Sequence, residues 1–358
     1  MSENPHWNLF LHDGTRFEGR PFGYPAGATG EIVFNTGMVG YPETLTDPSY
    51  RGQILVLTFP LIGNYGVGQT HYQDARAGGL GRYESNRIQV AGLVVSEVSA
   101  EHSHWDSVKS LSDWLREERV PALCGVDTRA VTKHLREHGT LLGGMTAGPV
   151  PNELYDPNLE NLVSQVSVSE PVLYGSGRKR VLLIDCGCKS TIIRQLLERD
   201  ISVLRVPWDH DPVQELFDGL VVSNGPGDPK QCVPTISNVR RVMDAGYPIL
   251  GICLGNQVLG LAAGADTFKM KFGHRGHNQP CILNGTRRCI ITSQNHGYAV
   301  DPATIPQDWE AWFTNANDGT NEGLRHRSKP FMSVQFHPEA TPGPTDSNNI
   351  FDEFIGML

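Results

Sequence analysis

Pro248-Ile-Leu-Gly251-Ile-Cys253-Leu-Gly255-Asn-Gln257 is the stretch on which the reading of the second half of the chain turns. Residues 249–252 form an apolar run of strand length, and residues 254–263 carry a helical pattern. Cys253 therefore falls on a sharp turn from strand to helix. This is nucleophile-elbow architecture with a thiol in place of a hydroxyl, and a side chain at such a turn projects into the cleft. Gly251 and Gly255 are the small residues that the turn needs sterically. The thiol also stands at a helix N-terminus, whose free amides and dipole favour the thiolate. The N–H of Leu254, the residue after the nucleophile, is the expected first donor of an oxyanion hole.

Outward from this turn, strand-like and helix-like segments alternate. Residues 181–185, 201–206 and 217–223 read as strands, and residues 190–199 and 235–245 as helices. Alternation of this kind predicts an α/β fold, an open and mostly parallel sheet with flanking helices and right-handed crossovers. Ligands of such sheets gather beyond the carboxyl ends of the strands. Three loops fall there: Asp185-Cys-Gly187, Asn224-Gly-Pro-Gly227 and Gly251-Ile-Cys-Leu-Gly255. Residues 266–338 read as strands and turns, and residues 351–357 as a last short helix.

The first part of the chain has a different rhythm. Short β-like runs at 7–12, 30–34, 54–59 and 88–98 precede helical patterns at 107–119 and 128–138, which suggests a layered β/α domain. Residues 148–179 are rich in Pro, Asn, Ser and Gly, which is linker chemistry. The expected division is a domain at 1–147, a linker or arm at 148–179 and a second domain at 180–358.

A cysteine nucleophile needs a base, and the base an orienting group. Val334-Gln-Phe-His337-Pro-Glu339 offers both. His337 ends an apolar strand, Pro338 forces an extended or turn geometry, and Glu339 can reach the same side to fix the imidazole tautomer. Gly225 lets a backbone amide approach a bound carbonyl oxygen and is the expected second oxyanion donor.

The 358 residues carry a formal net charge of −9. An acidic chain without a Lys/Arg stripe argues against a nucleic-acid partner. Its most apolar stretch, residues 247–265, is broken by glycines, Asn256 and Gln257 and does not read as a membrane span. The first seven residues show no basic region followed by an apolar run, and the seven cysteines are scattered without paired CxxC clusters. Free thiols and a cytoplasmic location are the expectation.

Together these residues resemble the triad, or class I, glutamine amidotransferases. The wider chain is similar to the small, glutamine-hydrolysing subunit of carbamoyl-phosphate synthetases. In the second half the resemblance rests on Ser223-Asn-Gly-Pro-Gly-Asp-Pro229, Gly251-Ile-Cys-Leu-Gly-Asn-Gln257, Ser293-Gln-Asn-His-Gly-Tyr298 and Phe336-His-Pro-Glu339. In the first half it rests on Thr36-Gly-Met-Val-Gly-Tyr-Pro-Glu43, Thr46-Asp-Pro-Ser-Tyr50, Gly63-Asn-Tyr65 and Gly125-Val-Asp-Thr-Arg129. The resemblance implies that Cys253 attacks the side-chain amide of L-glutamine, His337 shuttles the proton and Glu339 orients it. A γ-glutamyl thioester then forms, ammonia leaves, and water releases glutamate. It also implies a glutamine pocket at Ser49, Gly225, Gly227, Leu254, Gln257, Asn295, Gly297 and Tyr298, with Ser49 drawing the first domain into the cleft. Asn256 departs from the histidine usual in these relatives, which implies modest tuning of the site. No cofactor is expected in this chain. ATP, bicarbonate and Mg belong, on this resemblance, to a large partner subunit that receives the ammonia and makes carbamoyl phosphate for arginine or pyrimidine biosynthesis.

Other patterns weigh less. His134-Leu-Arg-Glu-His138 matches a zinc-peptidase spacing but lacks an evident third ligand, Cys186-Gly-Cys188 is too tight for a zinc knuckle, and His274-Arg-Gly-His277 reads as an ordinary loop. No metal site is expected. Neither phosphate-binding glycine motif is present. Two alternatives stand beside the amidotransferase reading: a free-standing cysteine hydrolase on a similar sheet, and a non-enzymatic protein that keeps an old site for binding.

Overall fold

The computed structural model describes residues 7–70, 73–74 and 79–358. Contacts divide the chain into two units, Met1–Tyr72 with Gly81–Glu160, and Gln73–Leu80 with Asn161–Leu358.

The first unit is built on seven strands: β1 (Trp7–Leu11), β2 (Arg16–Pro21), β3 (Ala28–Asn35), β4 (Gln53–Leu57), β5 (Gly92–Val94), β6 (Ala122–Cys124) and β7 (Leu141–Thr146). They close into a barrel in the order β1-β7-β3-β4-β5-β6-β2. Closure removes every unpaired strand edge. The sequence suggested layers; the strands instead pair all the way round, with β1 bonded to both β2 and β7. The run at 88–98 is broken, with β5 ending at Val94 and a two-residue strand at Glu97–Val98. Helix α1 (Tyr41–Thr46) leads to a 3₁₀ turn at Pro48–Tyr50. Helix α2 (Leu111–Glu117) starts later than the pattern suggested because Ser110 caps it, accepting from Asp113 N–H. Helix α3 (Thr128–His138) is capped by Asp127 and ends at Gly139 with φ 95°. Trp114 and Leu115 of α2 join Val33, Leu55 and Leu93 in this unit's core.

The second unit holds a ten-stranded sheet. Its strands are β8 (Val172–Tyr174), β9 (Lys179–Asp185), β10 (Ile201–Pro207), β11 (Gly219–Val222), β12 (Ile249–Ile252), β13 (Thr267–Leu283), β14 (Cys289–Val300), β15 (Trp309–Asn315), β16 (Asn321–His326) and β17 (Phe331–Val334). Their order is β8-β10-β9-β11-β12-β17-β16-β15-β13-β14. The central strands β10, β9, β11, β12 and β17 run parallel; β8 and the four strands beyond β17 are antiparallel. Side chains alternate across the parallel part, as period two requires. Val181, Leu183, Val221 and Leu250 pack on one face with α4 (Ser190–Leu197) and, after the other helices, the terminal α7 (Asn349–Ile355). Leu182, Ile184, Leu220 and Val222 pack on the other with α5 (Val233–Ala245) and α6 (Leu254–Ala263). Part of the expected linker belongs to this unit: Val163 is in its core, and Val168 N–H donates to Asp185 Oδ2 at 2.8 Å.

One local expectation is corrected. His274-Arg-Gly-His277 is not a loop but part of β13, with His274 registered against His296 of β14. The sequence showed polar residues and glycine there; in the structure His274 is buried between Asp318 and Glu322, partners that only the folded sheet brings together.

Candidate active site

Cys253 sits between β12 and α6 with φ 55° and ψ −104°. A non-glycine residue held there stores strain of about 1–3 kcal/mol, a burden that tends to mark functional positions. Its N–H is tied to Val334 O at 2.9 Å, so β17 helps to hold the turn. The flanking glycines are required by close approach. A Cβ on Gly251 would lie 2.4 Å from Gly255 O, and one on Gly255 would lie 2.1 Å from Val222 O. The sulfur is almost fully buried and lies 3.6 Å from Asn295 O on β14.

His337 follows β17 and is pinned by its own N–H to Ser293 O at 2.9 Å. Its Nδ1 pairs with Glu339 Oε1 at 2.6 Å. The other ring nitrogen, Nε2, is buried and meets no nitrogen or oxygen partner among the described residues. The Cys253 sulfur also acts on the ring, through its charge and as a hydrogen-bond partner. Burial works against a charged ring, but Glu339 and Cys253 outweigh it and push His337 up to about 10. The elbow brings the sulfur, and β17 the imidazole and carboxylate, to one place.

A fourth group completes the cluster, and the sequence reading missed it. Lys189 Nζ donates to Glu339 Oε1 at 2.9 Å and to Thr341 O at 2.7 Å. Burial alone would raise the Glu339 carboxyl, but the Lys189 charge and then His337 hold it down to about 2. The signal was available, because Lys189 ends the loop that begins at Asp185, one of the three loops placed at strand ends. That loop is joined to the next: Cys186 N–H donates to Ser223 Oγ at 2.9 Å, and Lys189 N–H to Asn224 Oδ1 at 3.0 Å.

Gly225 lies on this second loop. A Cβ there would be 2.0 Å from Cys186 O and 2.9 Å from Leu254 Cδ2, so only glycine lets the two loops and the elbow close on one another. The N–H of Leu254 opens α6 and has no intrahelical acceptor. The N–H of Gly225 donates to no described residue. Gly227 holds φ 84° over Leu162. Gln257 Nε2 donates to Tyr298 O at 2.8 Å, which links α6 to the strand carrying Asn295, Gly297 and Tyr298. These residues all belong to the second unit. Ser49 belongs to the first, in the turn Pro48–Tyr50, where its N–H donates to Asp47 Oδ1 at 2.9 Å. Asn256 is wholly buried, with Nδ2 on Gln335 Oε1 at 3.0 Å and Oδ1 accepting from Ser333 Oγ at 2.8 Å.

Among the described residues, His274, His296 and Glu322 have a spacing that could hold a metal ion. Two of the same residues, His274 and Glu322, take part in an ion-pair network. His274 Nε2 is 2.8 Å from Asp318 Oδ2 and its Nδ1 3.3 Å from Glu322 Oε1. Burial opposes its charge, but these two carboxylates outweigh it and raise His274 to about 9. Burial pushes His296 well down, and its Nδ1 faces Tyr298 O at 2.8 Å. His134, of the zinc-like pattern, pairs with Asp13, while His138 Nδ1 turns to the His134 carbonyl.

Residues 182–357 match the family model "Glutamine amidotransferase class-I", and residues 9–145 match "Carbamoyl-phosphate synthase small chain, CPSase domain". The chain is 53% identical over 354 residues to the multifunctional protein CAD of Squalus acanthias, covering 97% of this chain and 16% of that protein. It is 48% identical to the mitochondrial carbamoyl-phosphate synthase [ammonia] of Aquarana catesbeiana, covering 98% of this chain and 24% of that one. It is also 48% identical to the multifunctional protein URA2 of Saccharomyces cerevisiae, covering 97% of this chain and 17% of that one. The chain thus spans about a sixth to a quarter of the length of these relatives.

Proposed function

The chain belongs to the carbamoyl-phosphate synthase small-chain family, with a class I glutamine amidotransferase domain as its second half, and from that premise we propose that it hydrolyses L-glutamine and supplies the ammonia to carbamoyl phosphate synthesis. The observation that carries this reading is the strained Cys253 elbow beside a buried His337–Glu339 pair whose second ring nitrogen meets no nitrogen or oxygen.

The chemistry follows from these groups. The Cys253 sulfur adds to the side-chain amide carbon of glutamine, and His337 Nε2 holds the thiol proton. The carbonyl oxygen becomes an oxyanion, stabilised by the N–H groups of Leu254 and Gly225. Collapse of this intermediate breaks the C–N bond. His337 delivers its proton to the nitrogen, ammonia departs, and a γ-glutamyl thioester remains on Cys253. Water, relieved of a proton by His337, attacks the thioester and releases glutamate. Glu339 keeps Nδ1 protonated and oriented throughout, and Lys189 keeps Glu339 ionised.

Gly227, Gln257, Asn295, Gly297 and Tyr298 bind glutamine in this proposal, and Ser49 enters it on the family resemblance alone. The ATP, bicarbonate and Mg chemistry is assigned to a large synthetase partner, separate or fused. The carbamoyl phosphate formed there serves arginine or pyrimidine biosynthesis. Among the described residues no helix is long and apolar enough to cross a membrane. Cytoplasmic residence is proposed, in keeping with seven cysteines that are all free.

Glutamate release from glutamine tests the reading. Activity is expected in the native protein and lost in Cys253→Ala, and mass spectrometry with a reactive glutamine analogue is expected to find the adduct on Cys253. Full-rate glutaminase in Cys253→Ala would refute the site. The small-chain domain favours an amidotransferase over a solitary hydrolase, and glutamine-dependent carbamoyl phosphate formation with the synthetase partner decides between them.

A further inference from the structure

Behind the elbow, four buried side chains form a hydrogen-bond chain with one possible polarity. Gln257 Nε2 lies 2.8 Å from Tyr298 O and 3.2 Å from Gln335 Oε1. Asn256 Nδ2 lies 3.0 Å from the same Gln335 oxygen, and Ser333 Oγ donates to Asn256 Oδ1 at 2.8 Å. All four side chains are buried.

A backbone carbonyl can only accept, so Tyr298 O forces the NH₂ of Gln257 towards it. Both hydrogens of that NH₂ are then committed, one to Tyr298 and one to Gln335. Gln335 must answer with its oxygen, because the reverse orientation would set its NH₂ against that of Gln257. Asn256 must likewise present its NH₂ to Gln335, which leaves its oxygen for Ser333. The orientation of every amide is thus inherited from one main-chain group.

Gln335 is not there to satisfy itself. Its own Nε2 is buried without a partner among the described residues, a state that costs stability. An apolar side chain would avoid this, but would leave donors of both Asn256 and Gln257 facing hydrocarbon. Gln257 stands one helical turn beyond Cys253, on the same face of α6. With its NH₂ taken up twice, Oε1 is the end that no described residue bonds.

We propose that Gln335 is a positioning residue of the substrate pocket: by accepting from Asn256 and Gln257 it holds Gln257 with Oε1 as the free end, so that the pocket offers an acceptor to an N–H donor of the substrate. The donor is the α-ammonium or the side-chain amide of glutamine. This rests on the glutaminase reading above and adds a specificity element to it.

The test measures L-glutamine binding by calorimetry on the Cys253→Ala protein, with and without Gln335→Met, beside glutaminase kinetics with Cys253 intact. Methionine keeps the length of the chain and removes the acceptor oxygen. Binding is expected to weaken at least about tenfold, with a matching rise in KM and kcat within about twofold. A merely structural role would lower the melting temperature and, through the active fraction, the apparent kcat, and would leave KM unchanged. In a Gln257→Leu background Gln335→Met is expected to change affinity by less than about twofold, because Gln335 acts through Gln257. Gln335→Glu presents an acceptor oxygen in either protonation state and is expected to bind within about threefold of the parent. Repeating the comparison with 4-carbamoylbutanoate, glutamine without its α-ammonium, assigns the donor: a loss that disappears points to the ammonium, and one that persists points to the amide.

Unchanged affinity in Gln335→Met, full additivity with Gln257→Leu, or lost binding in a stably folded Gln335→Glu overturns the proposal. A Cys253-intact protein that binds glutamine with the expected ratio but never turns it over sinks the glutaminase reading alone.

Discussion

Lys189→Met removes a buried cation from the carboxylate paired with the His337 imidazole. Glu339 is held at about 2 against an ordinary 4.5, with the Lys189 charge ahead of His337 among the groups that lower it. A carboxyl depressed by that much contributes about 3 kcal/mol to folding at neutral pH. Because the folded value is the lower one, this contribution is complete above about pH 4.5 and is lost as pH falls towards 2. His337 runs the other way: raised from 6.5 to about 10, its contribution is complete below 6.5 and is lost as pH rises through 10. The cluster is therefore most stabilising between about pH 4.5 and 6.5. Without Lys189 the carboxylate keeps only His337, and the Glu339 value is expected to climb from about 2 by about 2–3. Urea unfolding of the second unit, followed through Trp309 and Trp312, is expected to show a loss of about 3 kcal/mol at pH 7. On the proposed glutaminase activity, the acid limb of kcat/KM for glutamine is expected to move into the pH 4–5 range, where the native protein stays flat. A variant within about 1 kcal/mol of the native protein, with an unmoved acid limb, would show that Lys189 does not hold Glu339.

Other outcomes follow from the same geometry. Gly225→Ala places a Cβ 2.0 Å from Cys186 O, so the oxyanion loop must shift; kcat is expected to fall about 10²–10³-fold with KM much less affected, as steady-state glutaminase will show. Gly255→Ala forces α6 away from Val222, and both a lower melting temperature and slower alkylation of Cys253 by a glutamine-like chloroketone are expected. Asn256→Leu strands Ser333 Oγ and removes one donor from Gln335 Oε1, which is expected to destabilise by about 1–3 kcal/mol in urea titrations. His274 is raised to about 9 by Asp318 and Glu322 against burial, so its stabilisation is complete below 6.5 and fades as pH passes 9. Asp318→Asn is expected to lower the urea midpoint at pH 6 and leave it nearly unchanged at pH 10.

The sequence by itself determined what is local and periodic. A thiol between glycines at a strand-to-helix step, an alternation that demands a parallel sheet, and His337 two residues before Glu339 are all short-range patterns. A few neighbouring side chains and the period of the backbone are enough to impose them. That is why α3 and α6 begin and end where the residues suggest, and why the elbow stands where the glycines put it.

What the tertiary structure alone decided depends on pairings between distant segments. Lys189 meets Glu339 across 150 positions, and no spacing rule connects them. Gln335 looks like one more residue in an apolar run until Tyr298 O, 37 positions upstream, sets the direction of Gln257. The barrel closes because β1 finds partners on both edges, while short strands read one at a time carry no record of their neighbours. His274 belongs in a strand because Asp318 and Glu322 arrive from a hairpin about 45 residues on and make a buried cation tolerable. Hydrogen bonds and ion pairs act over a few ångströms of space whatever the length of chain between the partners, so the fold has to form before they can be counted.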